Sequence, residues 1–409
     1  MKIRSVTLFD NPGSSIKSEF LQTAEKFNQE VKAVFDNSNI ELQTVRFASP
    51  PFPLFLKGMD TDQVIDYAIL LESTLNGLGF EYISVGPALP DFPDSYQLIP
   101  DLINSTENTF CSGLMTDSAK GVSLKAVRSC GEIIHRLTPL DPNGFSNLYF
   151  AALGNVPAGA PFFPAAYHHD RKRSFAIAVE AADLAVESFG QASTFEEARN
   201  SLITLLEKLD KELVEMAAAL EKNTGAEFTG IDYSLAPYPD KELSIGTALE
   251  HLGLKEIGQH GSLSAAAFLA DTIDRADIQR TGFSGLMLPV LEDAILAKRA
   301  AGGSLTVKDL LLYSAVCGTG LDTVPLPGDI NSDQISSILM DLAALSLRLD
   351  KPLTARLMPI PGKKAGDSTN FDFPFFANSK VMAVNAAVLS DLFNGQGFLD
   401  IMPRKRSGG

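Results

Sequence analysis

Two periods of apolar residues take turns along the N-terminal part of this chain. Residues 3–9 (IRSVTLF) alternate as a strand does, and Asn11-Pro12-Gly13 ends the run. From Ser15 to Asp36 the residues Ile16, Phe20, Ala24, Phe27, Val31 and Phe35 recur at helical spacing. Ile40 to Phe47 (IELQTVRF) reads as the next strand, and Asp60 to Gly77 as a helix with an Asp or Thr cap. Phe80 to Val85 is a further strand, closed by Gly-Pro. Strand, helix, strand, helix in this order predicts βαβ units and a parallel sheet.

The pattern continues downstream. Ser118 to Arg136 is predicted as a helix, and Tyr149 to Leu153 as a short apolar run. A Gly- and Pro-dense loop at 154–170 follows, ending in His168-His169-Asp170, and Arg173 to Phe189 is expected to be helical. Leu202, Leu205, Leu206, Leu209, Leu213, Met216 and Leu220 form one apolar stripe with charge on the other face, the mark of a long core helix. Asp333 to Leu349 is another helix, and Leu353 to Met358 (LTARLM) another strand. Four apolar runs end in similar loops: LAPYPDKE, LMLPVLED, VPLPGD and MPIPGKKAGD. Parallel strands would bring these loops to one rim, where α/β folds place their ligands.

Composition narrows the function. The 409 residues are 45% apolar and 21% charged, a globular balance, with a formal net charge of −16 that disfavours nucleic acid and anionic membrane as partners. Cys111, Cys130 and Cys317 are widely spaced and odd in number, which argues against disulfides and structural zinc. The start carries no long apolar core or small-residue cleavage site, so no secretory signal is read there and a cytoplasmic protein is expected. No apolar run reaches membrane-spanning length. Residues 1–401 are expected to form one domain, with 402–409 a disordered basic tail. A homo-oligomer is compatible with this size.

Chemistry concentrates at two stretches. In LLLYSAVCGTGLDTVPLPGD (310–329) a buried-looking run leads to Cys317, Gly318, Gly320, Asp322 and Asp329, read together as a loop specified by Gly and Pro. Cys317 is a candidate nucleophile, against the plainer reading of a small buried hydrophobe. Asp322 is a candidate acid or base, and Asp322 with Asp329 a candidate site for a divalent cation, against Asx-turn roles. The second stretch is PGKKAGD (361–367). Lys363, Lys364 and Asp367 follow Arg356 there, and with Gly318 and Gly320 they are the candidate binding set for a carboxylated or phosphorylated metabolite. The spacing is not that of a P-loop. His168 is a candidate acid–base or metal ligand, against a polar loop before a helix. Glu292-Asp293 reads as a helix start.

Taken together, IRSVTL at 3–8, ALGNVP at 152–157, IDYSLAP at 231–237, FSGLMLPVLED at 283–293, GTGLDTVPLPGD at 318–329 and TARLMPIPGKKAGD at 354–367 resemble the domain-of-unknown-function 711 (DUF711) family, also called uncharacterised protein family 0210 (UPF0210). The resemblance implies an α/β barrel-like fold of about ten strands, with largely parallel half-sheets ringed by helices, related to pyruvate formate-lyase and other glycyl radical enzymes. It implies no reaction. Glycyl radical enzymes carry an Arg-containing Gly-aromatic motif near the C-terminus, and Asn394-Gly395-Gln396-Gly397-Phe398 lacks that Arg. Three functions stay open on the sequence: an enzyme acting on a small anion, a non-catalytic binding or regulatory protein, and a radical enzyme resting on Cys317.

Overall fold

A computed structural model describes residues 2–169 and 171–403. Of the expected basic tail, residues 404–409 lie outside the described residues, as does Asp170. The strands are β1 (Lys2–Phe9), β2 (Glu41–Ala48), β3 (Tyr82–Ala88), β4 (Thr109–Leu114), β5 (Thr116–Asp117), β6 (Gly121–Ser123), β7 (Phe150–Gly154), β8 (Ser174–Glu180), β9 (Glu227–Asp232), β10 (Gly320–Pro327), β11 (Leu353–Ile360) and β12 (Phe398–Leu399). Nine of them make one sheet in the order β10-β11-β7-β4-β3-β2-β1-β8-β9, and β12-β6-β5 make a small second one.

The large sheet consists of parallel blocks. Strands β1, β2, β3, β4 and β7 run one way. The pairs β8–β9 and β10–β11 are each parallel within themselves and antiparallel to that block. The ladder is not a continuous closed barrel. Its two edge strands are nevertheless joined to one segment, residues 279–290, through parallel bridges Ile231–Arg280 and Pro289–Asp322. Backbone bonds from Ile231 N to Gln279 O (2.8 Å) and from Val290 N to Asp322 O (3.0 Å) hold it at either side.

Helices cover the sheet because their apolar stripes require it. Phe20, Ala24, Phe27, Val31 and Phe35 on the Ser18–Asp36 helix are all buried. Each buried Phe or Val side chain among them contributes about 1.5–3 kcal/mol on leaving water. Asp60 caps the Thr61–Gly77 helix in a capping box with Gln63. The leucine stripe lies on the 30-residue helix Phe195–Thr224, with Leu202, Leu206, Leu213 and Leu220 in the main core.

Several expected elements differ. Residues 173–189 are not one helix but strand β8 followed by the helix Ala182–Gln191. The run SFAIAVE is apolar enough to suit either period, and pairing with both β1 and β9 decides for a strand. The 118–136 helix begins at Leu124, because the chain before it forms β5 and β6. Residues 285–290 make a single bridge rather than a strand. Asp322 sits not on a loop but inside β10, whose Pro325 and Pro327 are tolerated because β10 is a ladder edge.

Candidate functional site

The pairing of β10 with β11 slips between Leu321 and Val324, so that Asp322 and Thr323 together face Arg356. This is a β-bulge, and bulges re-aim side chains. Thr323 adopts φ +40°, costly for a β-branched residue, and its hydroxyl accepts a bond from Leu291 N at 3.3 Å. The bulge turns Asp322 onto Arg356, with Nε 2.6 Å from Oδ1. Arg356 Nη2 reaches Glu292 Oε1 at 2.6 Å, and Glu292 Oε2 accepts from Arg4 Nη2 at 2.6 Å. Three strands, β1 from one block and β10 and β11 from another, thus meet with Glu292, just past the closing segment, in one chain of charges.

The two carboxylates differ in their surroundings. Burial opposes ionisation of Glu292, but Arg356 and Arg4 outweigh it and hold its carboxyl below the ordinary glutamate range. Burial pushes Asp322 up, against the attraction of Arg356, and the nearby Glu292 adds to the rise. Asp322 Oδ2 is buried with no hydrogen-bond partner. One guanidinium against two explains the split.

Above this chain lies a cavity of about 150 Å³. Residues of β1, β2, β3, β4, β8, β9 and β11 line it, and so do Phe162 and Phe163 from the β7–β8 connection and Phe373 and Phe375 from beyond β11. It lies at the C-terminal end of β9, where Asp232 closes the strand, beside Arg356 in the middle of β11 and against the N-terminal ends of β3 and β4, where Tyr82 and Phe110 stand. Arg46 on β2 faces it and is 9% exposed. Among the described residues its guanidinium has one hydrogen-bond partner, Thr44 Oγ1, 2.8 Å from Nε. The group lies over two rings, 5.3 Å from the Tyr82 centroid and 5.2 Å from that of Phe163. Among the described residues no carboxylate pairs with it. Burial and the like charge of Arg4 bring its pKa down to about 10. Arg4 Nη1 is likewise buried without a partner. An arginine in this state is a ready partner for an anion.

Asp232 also lines the cavity, but its oxygens are occupied. It accepts from Ser234 N (3.0 Å) and the Ser234 hydroxyl, and from Phe283 N and Ser284 N (both 3.0 Å). Its role is to fasten the end of β9 to the closing segment, and burial raises its pKa.

The expected site residues are distributed along the molecule. Arg356 and Asp322 come together. Lys363, Lys364, Asp367 and Asp329 gather at the C-terminal ends of β10 and β11, where Gly328 N bonds Lys363 O (2.9 Å) and Lys364 N bonds Asp367 Oδ2 (2.7 Å). They stand at the expected rim, yet none lines the cavity. Cys317, Gly318 and Gly320 lie at the other end of these strands, on the order of 26 Å away for eight residues at ~3.3 Å each. Cys317 is buried in the main core, and its carbonyl accepts from Lys351 Nζ. The shared hollow expected between thiol and lysines does not form. Gly318 packs on Gly285 so closely that a Cβ on either would come within 2.9 Å of the other's backbone. His168 is buried by its loop, its amide bonded to Ser49 O (2.9 Å) and Nε2 3.4 Å from Arg171 O, and it does not line the cavity.

For a cation, Asp322 is committed to Arg356 and Asp329 is exposed at the strand end. Among the described residues no group of three or more His, Cys, Asp or Glu side chains could hold a metal. Asp293 does cap the helix Ala294–Gly302, accepting from Ile295 N and Leu296 N at 2.9 Å, while Glu292 turns into the cavity. Sequence reading passed over Arg4 and Arg46. The available signal was a lone charge between Val45 and Phe47 in an otherwise buried strand end.

Among the described residues no helix is long and apolar enough to cross a membrane. A family described as "Uncharacterised ACR (DUF711)" matches residues 1–379. The chain is 30% identical over 397 residues to a UPF0210 protein of Pyrobaculum aerophilum, covering 90% of this chain and 87% of that one. It is 28% identical over 377 residues to a UPF0210 protein of Acetivibrio thermocellus, covering 88% and 82%.

Proposed function

We propose that this chain, which belongs to the DUF711 (UPF0210) family, binds a small anionic metabolite in the aromatic cavity between the strand blocks. The observation that carries the reading is Arg46, a guanidinium nine-tenths buried, facing the cavity, with no carboxylate partner among the described residues. Arg4, which also lines the cavity, adds positive charge there. A buried cation without a counter-ion is costly, and an anionic ligand would relieve that cost.

Ligand binding is better supported than catalysis. Glu292 is held ionised between two guanidiniums, and the acceptor capacity of Asp232 is taken up by the closing segment. The enzyme reading draws on Asp322, whose pKa burial raises beside Arg356, but this carboxyl is fully buried and does not line the cavity, which weakens it as a proton carrier to a ligand there. Cys317, buried in the main core and not part of the cavity lining, lends a radical mechanism no support.

Thermal unfolding with a panel of carboxylated and phosphorylated metabolites tests the reading, with divalent cations present and absent. At least one anion should raise the melting temperature of the wild type and leave Arg46→Gln unmoved. Equal shifts in both proteins would overturn it. Should a ligand be turned over, Asp322→Asn should abolish turnover and retain binding if Asp322 carries the proton.

A further inference from the structure

We infer that the ligand is a monoanionic carboxylate carried on a planar six-membered ring, close to benzoate in size. The inference rests on the anion-binding reading above and specifies its ligand. Size comes first. A cavity of about 150 Å³ matches the apolar cavities that take up a benzene molecule, leaving a carboxylate to project at the polar end.

The walls favour a ring over a flexible chain. Phe110 and Phe163 stand edge to face, with centroids 5.5 Å apart and planes at 79°. Phe373 and Phe375 close the other side at 5.3 Å from one another, and Met287 adds a polarisable wall. Aromatic pairs prefer these offset and edge-on arrangements, so a flat ring finds partners on several sides. The loop bearing Phe373 and Phe375 is held in shape by Asn378, whose side chain bonds Phe371 N (2.7 Å) and Phe371 O (3.1 Å).

The polar end selects one negative charge, not two. The Arg46 guanidinium, bonded among the described residues through Nε alone, offers its Nη1 and Nη2 groups, and a carboxylate satisfies such a fork with two oxygens. Two of the other polar side chains are engaged: Gln43 donates to Glu180 at 2.7 Å, and Thr44 donates to Arg4 O at 2.8 Å. Glu292 and Asp232 line the same space and oppose further negative charge. A phosphate dianion would therefore bring both an excess of acceptors and an excess of charge.

The test uses the full chain with benzoate, acetate, inorganic phosphate and toluene, read by calorimetry and by saturation-transfer NMR. Benzoate should bind at least tenfold more tightly than acetate, phosphate or toluene. Arg46→Gln should remove benzoate binding. Phe373→Ala, on a surface loop and so a safeguard should the arginine variant fail to fold, should weaken benzoate at least threefold and leave acetate unchanged. Acetate or phosphate binding as tightly as benzoate, through Arg46, would overturn the ring assignment and leave the anion site standing. Toluene equal to benzoate would overturn the carboxylate. No anion binding, or binding indifferent to Arg46→Gln, would overturn both the inference and the reading beneath it.

Discussion

Arg356 meets Asp322 across a β-bulge, its Nε 2.6 Å from Oδ1, at the place where edge strand β10 slips out of register with β11. The same guanidinium holds Glu292 through Nη2. One side chain therefore ties the sheet interior, its edge and the segment that joins the two edges.

Removing it should be severe. Arg356→Met leaves Asp322 and Glu292 buried close together with one cation fewer, and should cost about 3–5 kcal/mol in urea unfolding. Arg356→Lys should recover only part of the loss, because an ammonium cannot bridge two carboxylates as a planar fork does.

Glu292 should shape the acid limb of stability. Its folded pKa lies below the ordinary value, so between the two values the unfolded chain binds more protons and stability rises with pH. That contribution is fully present above the ordinary glutamate range and is lost as pH falls through the folded pKa. Melting temperatures between about pH 3 and 6 should thus rise less steeply with pH in Glu292→Gln than in the wild type. Asp322 acts with the opposite sign, since its folded pKa is raised: its contribution is lost as pH climbs through that value.

Gly285→Ala tests the contact between the closing segment and the turn at Gly318. A Cβ there would meet Gly318 Cα at 2.8 Å, with backbone on both sides and no flexible side chain to yield. Overpacking of this kind should cost about 1–3 kcal/mol, measured by denaturant midpoint at unchanged slope.

The polar groups away from the cavity should be dispensable for the ligand. Cys317→Ala, Lys363→Ala and Lys364→Ala should each leave ligand-induced thermal stabilisation within about twofold of wild type in apparent affinity, whereas Arg46→Gln should abolish it. Loss of the response in a lysine variant would return the site to the PGKKAGD loop.

The alternation of strands and helices was legible in the first block because each element carries its own period and its own punctuation. Asn11-Pro12-Gly13 ends one strand, and Asp60 opens one helix. Strand β8 was not legible, since SFAIAVE runs without a break toward the helix at Ala182 and only its two neighbours define it. Strand β10 was hidden by its prolines, which signal a loop unless the edge position is known. Asp322 and Arg356 stood out within their own motifs, but that they pair with each other across β10 and β11 could not be read from either motif. Arg4, Arg46 and Glu292 belong to segments far apart in sequence, and no local spacing announces which face of a strand looks into a hollow.

Residues 279–290 span the interval between β9 and β10 with scattered backbone bonds and the carboxylate of Asp232 rather than a continuous ladder. A wall built in this way is weakest along that line, so slow hydrogen exchange should fail there first, at the amides of Thr281 and Val290, while those of β2 and β3 stay protected. Any molecule occupying the hollow, which Met287 of this segment and Asp232 both line, would then be felt as a tightening along the whole seam.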